Sequence, residues 1–223
     1  MAYLMTGKQL ADKCVDVAKN YKTLYVMGCF GAPMTATNKT RYINNGAASG
    51  YNARSDRAAM IRAASADTFG FDCVNLIKGI LWGWKGDQSA VYGGAKYAAN
   101  GVPDTNADGM IALCQCVSRE WTVLEVGEAL WSSGHIGIYI GGGLAVECSP
   151  KWENRVQITA VGNLGTISGY NTRTWSKHGK LPWIDYTRQP VEQTTAGEKM
   201  YTKAEIDSLL EDFCKEFIER LND

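Results

Sequence analysis

The chain is expected to fold as an α+β domain, on the strength of three stretches. Leu10, Cys14, Val17 and Ala18 recur at helical spacing, which makes roughly 7–20 an amphipathic helix. Val74, Ile77, Ile80, Leu81 and Trp84 keep the same period and define a buried helix that begins at about Asp72 or Cys73. Ile136, Ile138 and Ile140 alternate with His135, Gly137 and Tyr139, glycines follow at 141–143, and Leu144 to Glu147 reads as the return strand of an antiparallel hairpin.

Composition bounds the rest. The 223 residues are 45% apolar and 21% charged, ordinary globular values that exclude a wholly disordered or collagen-like chain. Lys and Arg total 23, as do Asp and Glu, so no net field draws the chain onto nucleic acid or an anionic membrane, and neither is expected as a partner. No apolar run approaches the roughly 18 residues that span a bilayer. The seven cysteines are odd in number and contain no CxxC pair, which fits reduced thiols better than a disulfide framework.

Along the chain, Thr6 and Gln9 have capping-box spacing ahead of the first helix. Tyr25 to Gly31 is a short strand-like run broken by glycines, and 34–54 reads as a long, polar, irregular segment. Arg57 to Ala66 suggests a helix, 85–106 a Gly-, Tyr- and Asn-rich loop, and Met110 to Val117 a short helix. Val156, Ile158 and Ala160 mark a further strand. After Tyr186 the composition turns polar, with Pro and Gly, so the expected organisation is a domain over 1–188, a linker over 189–199 and a C-terminal helix over 200–223. In that helix Ile206, Leu210, Phe213 and Phe217 step by 4, 3 and 4, the seam of a helix that docks or self-associates, so a homo-oligomer through 200–223 is expected.

The chemistry narrows to a few residues. The sequence holds two histidines, His135 and His178, and any imidazole mechanism must use one of them. His178, in a polar Trp-Ser-Lys-His-Gly stretch, reads as a surface residue. Cys73 opens a helix, where amide N–H groups and the dipole favour a thiolate and its own N–H can serve an oxyanion. A Cys at a helix start and a His on a strand make a nucleophile–base pair. Because side chains alternate along the hairpin, His135 and Glu147 share the face opposite the isoleucines. They are direct cross-strand neighbours if the turn centres on Gly141 and diagonal ones if it centres on Gly142, and either way the carboxylate reaches the ring.

No metal or organic cofactor is expected. Asp104 to Gly109 looks like half an EF-hand, but the twelfth position is Gln115, so an Asx turn capping the next helix is the better reading. Cys114, Cys116 and Cys148 lack the CxxC knuckles of structural zinc.

Phe71-Asp72-Cys73 at the head of an apolar helix, followed by Gly134-His135-Ile136-Gly137-Ile138-Tyr139-Ile140-Gly141, resembles the NlpC family of papain-like peptidoglycan peptidases and, more distantly, the CHAP amidases. The resemblance covers about 21–150 and implies a papain-like domain with an antiparallel sheet. It makes Cys73 the nucleophile, His135 the base and Glu147 the third, polar residue, twelve positions after the histidine. Val74-Asn75 stands where the family has Ser-Gly. Asp72, Gly134 and Tyr25 are the substrate-side positions, with Tyr51 competing for the role of Tyr25. The implied reaction is hydrolysis of a stem-peptide amide, typically D-Glu to a diamino acid, with the sugar–peptide amide as alternative. A non-catalytic wall-binding or virion protein, and an intracellular thiol acyltransferase, are the rivals. The N-terminus shows no apolar h-region or cleavage site, so the expectation is cytoplasmic synthesis without a signal peptide and action on bacterial peptidoglycan after holin-type release or as a virion component.

Overall fold

The computed structural model describes residues 3–44 and 50–187. The expected linker over 189–199 and the helix over 200–223 lie outside the described residues. The described chain is α+β. It begins with strand β1 (Met5–Thr6) and helix α1 (Gly7–Asn20). Thr6 accepts from the Gln9 amide at 3.2 Å while the Gln9 side chain accepts from the Thr6 amide at 2.8 Å, closing the capping box. Leu10, Cys14, Val17 and Ala18 form the buried stripe of α1.

Next come β2 (Thr23–Tyr25), β3 (Phe30–Pro33), helices α2 (Ala36–Asn44) and α3 (Ser55–Ala63), and β4 (Phe69–Phe71). The order β2-β4-β3 makes a small mixed sheet. Helix α2 corrects the reading of 34–54 as irregular: Thr35 accepts from the Asn38 amide at 3.3 Å to start it, and its buried face is only Asn38 and Tyr42. So sparse an apolar face leaves no hydropathy period to read. The expected helix from Arg57 to Ala66 runs instead from Ser55 to Ala63.

Helix α4 (Cys73–Leu81) is buried along its whole length and packs on the main sheet. A loop with one 3-10 turn (Ala99–Gly101) leads to α5 (Ala107–Leu113), then β5 (Gln115–Ser118), β6 (Ala129–Ser132), β7 (His135–Gly141), β8 (Leu144–Ser149), β9 (Arg155–Val161), β10 (Thr172–Arg173), β11 (Lys177–Lys180) and β12 (Ile184–Asp185). The seven-stranded sheet has the order β10-β9-β8-β7-β6-β11-β5 and is antiparallel except at the β9–β10 edge. The expected helix Met110 to Val117 therefore splits: α5 ends at Leu113 and the chain becomes the opposite edge strand, with Cys116 at φ 50°. Asn106 caps α5, its carboxamide oxygen accepting from the Gly109 amide at 2.8 Å. Asp104 instead meets Lys78 and the Tyr97 hydroxyl.

Two apolar layers cover the sheet. Ile136, Ile138, Val146 and Val156 are buried in one cluster with α1 and α4, while Leu130, Tyr139, Ala145, Val161 and Trp175 form a second. Each fully buried isoleucine contributes about 1.5–3 kcal/mol relative to exposure. No helix among the described residues is long and apolar enough to cross a membrane.

Candidate active site

Asp72 ends β4 and caps α4. Its carboxylate accepts from the Asn75 amide at 2.8 Å and the Asn75 side chain at 2.7 Å, and from the Gly28 amide at 2.8 Å. The cap fixes where α4 begins and so where Cys73 points, and it ties down the β2–β3 turn. With the carboxylate buried and directed at the chain itself, Asp72 holds its neighbours rather than facing a ligand.

Cys73 is 8% exposed, whereas Cys14, Cys29 and Cys148 are each at 0%, so among the buried thiols of the described residues Cys73 alone reaches the surface. Burial and the adjacent Asp72 carboxylate push its thiol up to about 12, against the pull of the Ile136, Val74 and Cys73 backbone amides. The expectation of a thiolate favoured by the helix start is thereby corrected: desolvation outweighs the dipole, and the sulfur is protonated at neutral pH.

The contact with Ile136 N–H joins the sulfur to the peptide group that Ile136 shares with His135. Gly134 precedes the strand in a turn at φ 71°, its amide donating to Asp108 at 2.9 Å, and open space lies where a side chain would begin. Both features place His135 at the accessible mouth of β7, its side chain 15% exposed. No hydrogen bond links the His135 ring to the sulfur. The ring's Nε2 lies 2.7 Å from Glu147 Oε2, which leaves Nδ1 as the uncommitted ring nitrogen. The strand register pairs Gly137 with Glu147, so His135 is the diagonal neighbour of the carboxylate.

Glu147 is fully buried and its oxygens are satisfied: besides His135, Thr159 donates to Oε1 at 2.9 Å and Arg173 donates to both oxygens at 2.8 Å. Burial alone would raise this carboxyl, but the hydrogen bonds and charges of His135 and Arg173 win and hold it below the usual carboxylate range. Trp175 stacks on the His135 ring at 5.5 Å with 11° between planes. Gly137 makes room for it: a Cβ there would sit 3.0 Å from Trp175 Cη2 and 2.9 Å from the Val146 carbonyl.

Tyr25 and Tyr51 lie together, rings 6.0 Å apart edge to face, with the Arg57 guanidinium over both. Tyr25 is 5% exposed, and its hydroxyl is raised by burial and by Asp72 and Cys73, which places it in the electrostatic neighbourhood of the sulfur. Tyr51 is the more open ring of the two.

His178 is a correction to the sequence reading. It is 1% exposed, because β11 is an interior strand between β6 and β5. Its Nδ1 meets the Glu128 carboxylate and its Nε2 donates to the Glu120 carbonyl at 3.0 Å. Both nitrogens are committed to the fold, which leaves His135 as the imidazole with an uncommitted nitrogen.

Arg173, Thr159 and Trp175 escaped the sequence reading. Arg173 sits in a two-residue strand and Trp175 in the connection after it, neither with a pattern of its own, while Thr159 lies in a strand whose pattern was legible but whose facing to Glu147 becomes visible only once the register is known. Among the described residues no cluster of three or more His, Cys, Asp or Glu is arranged to hold a metal ion. No protein-family profile matches the chain, and no curated protein matches it significantly.

Proposed function

We propose that the chain is a cell-wall hydrolase: a papain-like cysteine peptidase of the NlpC type that cleaves an amide in the peptidoglycan stem peptide. The observation that carries this reading is the His135–Glu147 pair, buried at the carboxylate and open at the ring, at the start of a strand whose Ile136 amide meets the Cys73 sulfur at the head of α4. A structural histidine is satisfied on both sides, as His178 is. His135 is held on one side, by Glu147, and leaves its other nitrogen free for a proton.

In the proposed reaction Cys73 Sγ attacks the amide carbonyl carbon as its proton passes to His135 Nδ1. The carbonyl π electrons move to oxygen, which the Cys73 N–H stabilises. Collapse breaks the C–N bond, and the leaving amine takes the proton from His135. Water, deprotonated by the same ring, then attacks the thioester; a carboxylic acid leaves and Cys73 recovers its proton. Glu147 keeps the imidazole oriented throughout. Tyr25, Tyr51 and the open turn at Gly134 are the positions proposed to meet the peptide.

Mass spectrometry of purified peptidoglycan digested by the full chain tests the bond. Muramyl-linked Ala-Glu ends are the expected product. Released intact stem peptides would reassign the cut to the sugar–peptide amide, and unaltered walls would overturn the hydrolase reading.

A further inference from the structure

A buried carboxylate beside a base poses an electrostatic problem. While His135 is protonated, Glu147 and the ring form a neutral pair. To take the thiol proton the ring must first be neutral, and Glu147, at 0% exposure, would then be an uncompensated buried charge. Burial would force a proton to remain on the pair, and the base would be blocked.

Arg173 lies where it answers that problem. Its Nε donates to both Glu147 oxygens at 2.8 Å, its Nη2 lies 2.7 Å from Oε2 and 3.2 Å from Ser149 Oγ, and the guanidinium sits over Trp152 at 5.0 Å and Trp175 at 5.5 Å. A planar fork bonded to a carboxylate and packed against two indoles is a fixed positive charge, and guanidinium does not titrate in the accessible range. Thr159 adds a neutral donor from β9.

We propose that Arg173 is a positioning residue for catalysis, which compensates Glu147 whenever His135 is neutral and so keeps the imidazole available as a base. The inference rests on the thiol-hydrolase reading for its purpose, but not for its electrostatics. During the reaction the proton moves between Cys73 Sγ and His135 Nδ1; Glu147 stays ionised and Arg173 stays protonated. The groups facing the ring or its partners are Glu147 on β8, Thr159 on β9 and Arg173 on β10. At the strand's mouth they are Cys73 and Asp72 at the head of α4 and Asp108 of α5, which holds Gly134.

The test is an NMR titration of the two imidazole rings in the full chain. His178 serves as an internal control for the fold, and a His135→Gln spectrum assigns the signals. In Arg173→Gln the His135 midpoint moves up by about one pH unit or more, because the buried carboxylate now retains its proton partner. In Arg173→Lys, which keeps the charge, it stays within about 0.3 of wild type on the same electrostatic argument. Should Arg173→Gln unfold, Arg173→Met, which keeps a long apolar side chain beside the indoles, carries the same expectation. A midpoint that is unchanged or lower in the folded neutral variant, or that rises as far in Arg173→Lys, overturns the proposal. The readout needs no substrate, so walls left intact by an enzyme whose His135 responds as stated would sink the hydrolase reading and leave the charge compensation standing.

Discussion

Cys73 carries two opposed influences, and their balance can be measured. The amides at the head of α4 favour a thiolate; burial and then the Asp72 charge disfavour it more, up to about 12. Once His135 is removed, alkylation of Cys73 by iodoacetamide should therefore keep rising beyond the ordinary thiol midpoint near 8.5. In a His135→Ala, Cys116→Ser background, which silences the exposed Cys116, the rate is expected to climb through pH 9 to 10 without levelling. Adding Asp72→Asn removes one of the raising charges and should shift the curve to lower pH. A plateau below pH 9 in the parent background would contradict this account of the thiol. At this scale the sequence anticipated the helix start at Cys73 and the meeting of His135 with Glu147, because a helix start and a period-2 hairpin are local patterns. It was silent on Arg173, Thr159 and Trp175, whose roles come from register and edge-strand placement. It misjudged His178, because a short, mostly polar stretch says nothing of the strand's position inside the sheet.

The hairpin β7–β8 is the element on which the site depends. One of its faces is filled by Ile136, Ile138 and Val146, and the other holds His135, Gly137 and Glu147 in line. Gly137 joins the packing to the chemistry, since its bare Cα lets Trp175 lie across the strand and against the His135 ring. Gly137→Ala is expected to cost about 1–3 kcal/mol in urea denaturation by overpacking. It should also lower kcat on peptidoglycan more than it raises KM, because the ring loses its stacking partner. A variant with displaced stability but full kcat would show that the stack does not orient the base. Elements with a strong apolar period were legible before any coordinates: α1, α4, β7, β8 and β9. Helix α2 and strand β5 were not, since one buries little more than Tyr42 and the other is an exposed edge whose sequence carries no alternation of its own.

The described fold contains two His–Glu pairs with buried carboxylates, and the two carboxylates respond oppositely to acid. Glu147 is held below the usual carboxylate range, so its stabilisation is fully present above the unfolded value near 4.3 and is lost as pH falls through the folded value. Glu128 is raised, by burial first, despite its bond to His178; its contribution is present below the unfolded value and is lost as pH rises through the folded one. Urea denaturation between pH 3 and 7 should show wild type losing stability on the acid side. Glu147→Gln should be less stable at pH 7 yet flatter below pH 4.5. Parallel curves for the two proteins would mean that Glu147 is not the ionised, doubly bonded carboxylate described here. The α+β class and the layered packing of α1 and α4 on the hairpin sheet were foreseeable from periodicity. The parallel β9–β10 edge that delivers Arg173 was not, because a two-residue strand has no sequence signature.

Clearing of purified cell walls by wild type and Cys73→Ala, side by side at equal concentration, addresses the thiol mechanism most directly. Wild type is expected to solubilise the walls, with the variant slower by about 10³-fold or more, as loss of a covalent nucleophile demands. A folded Cys73→Ala protein that clears walls at the wild-type rate would contradict the account.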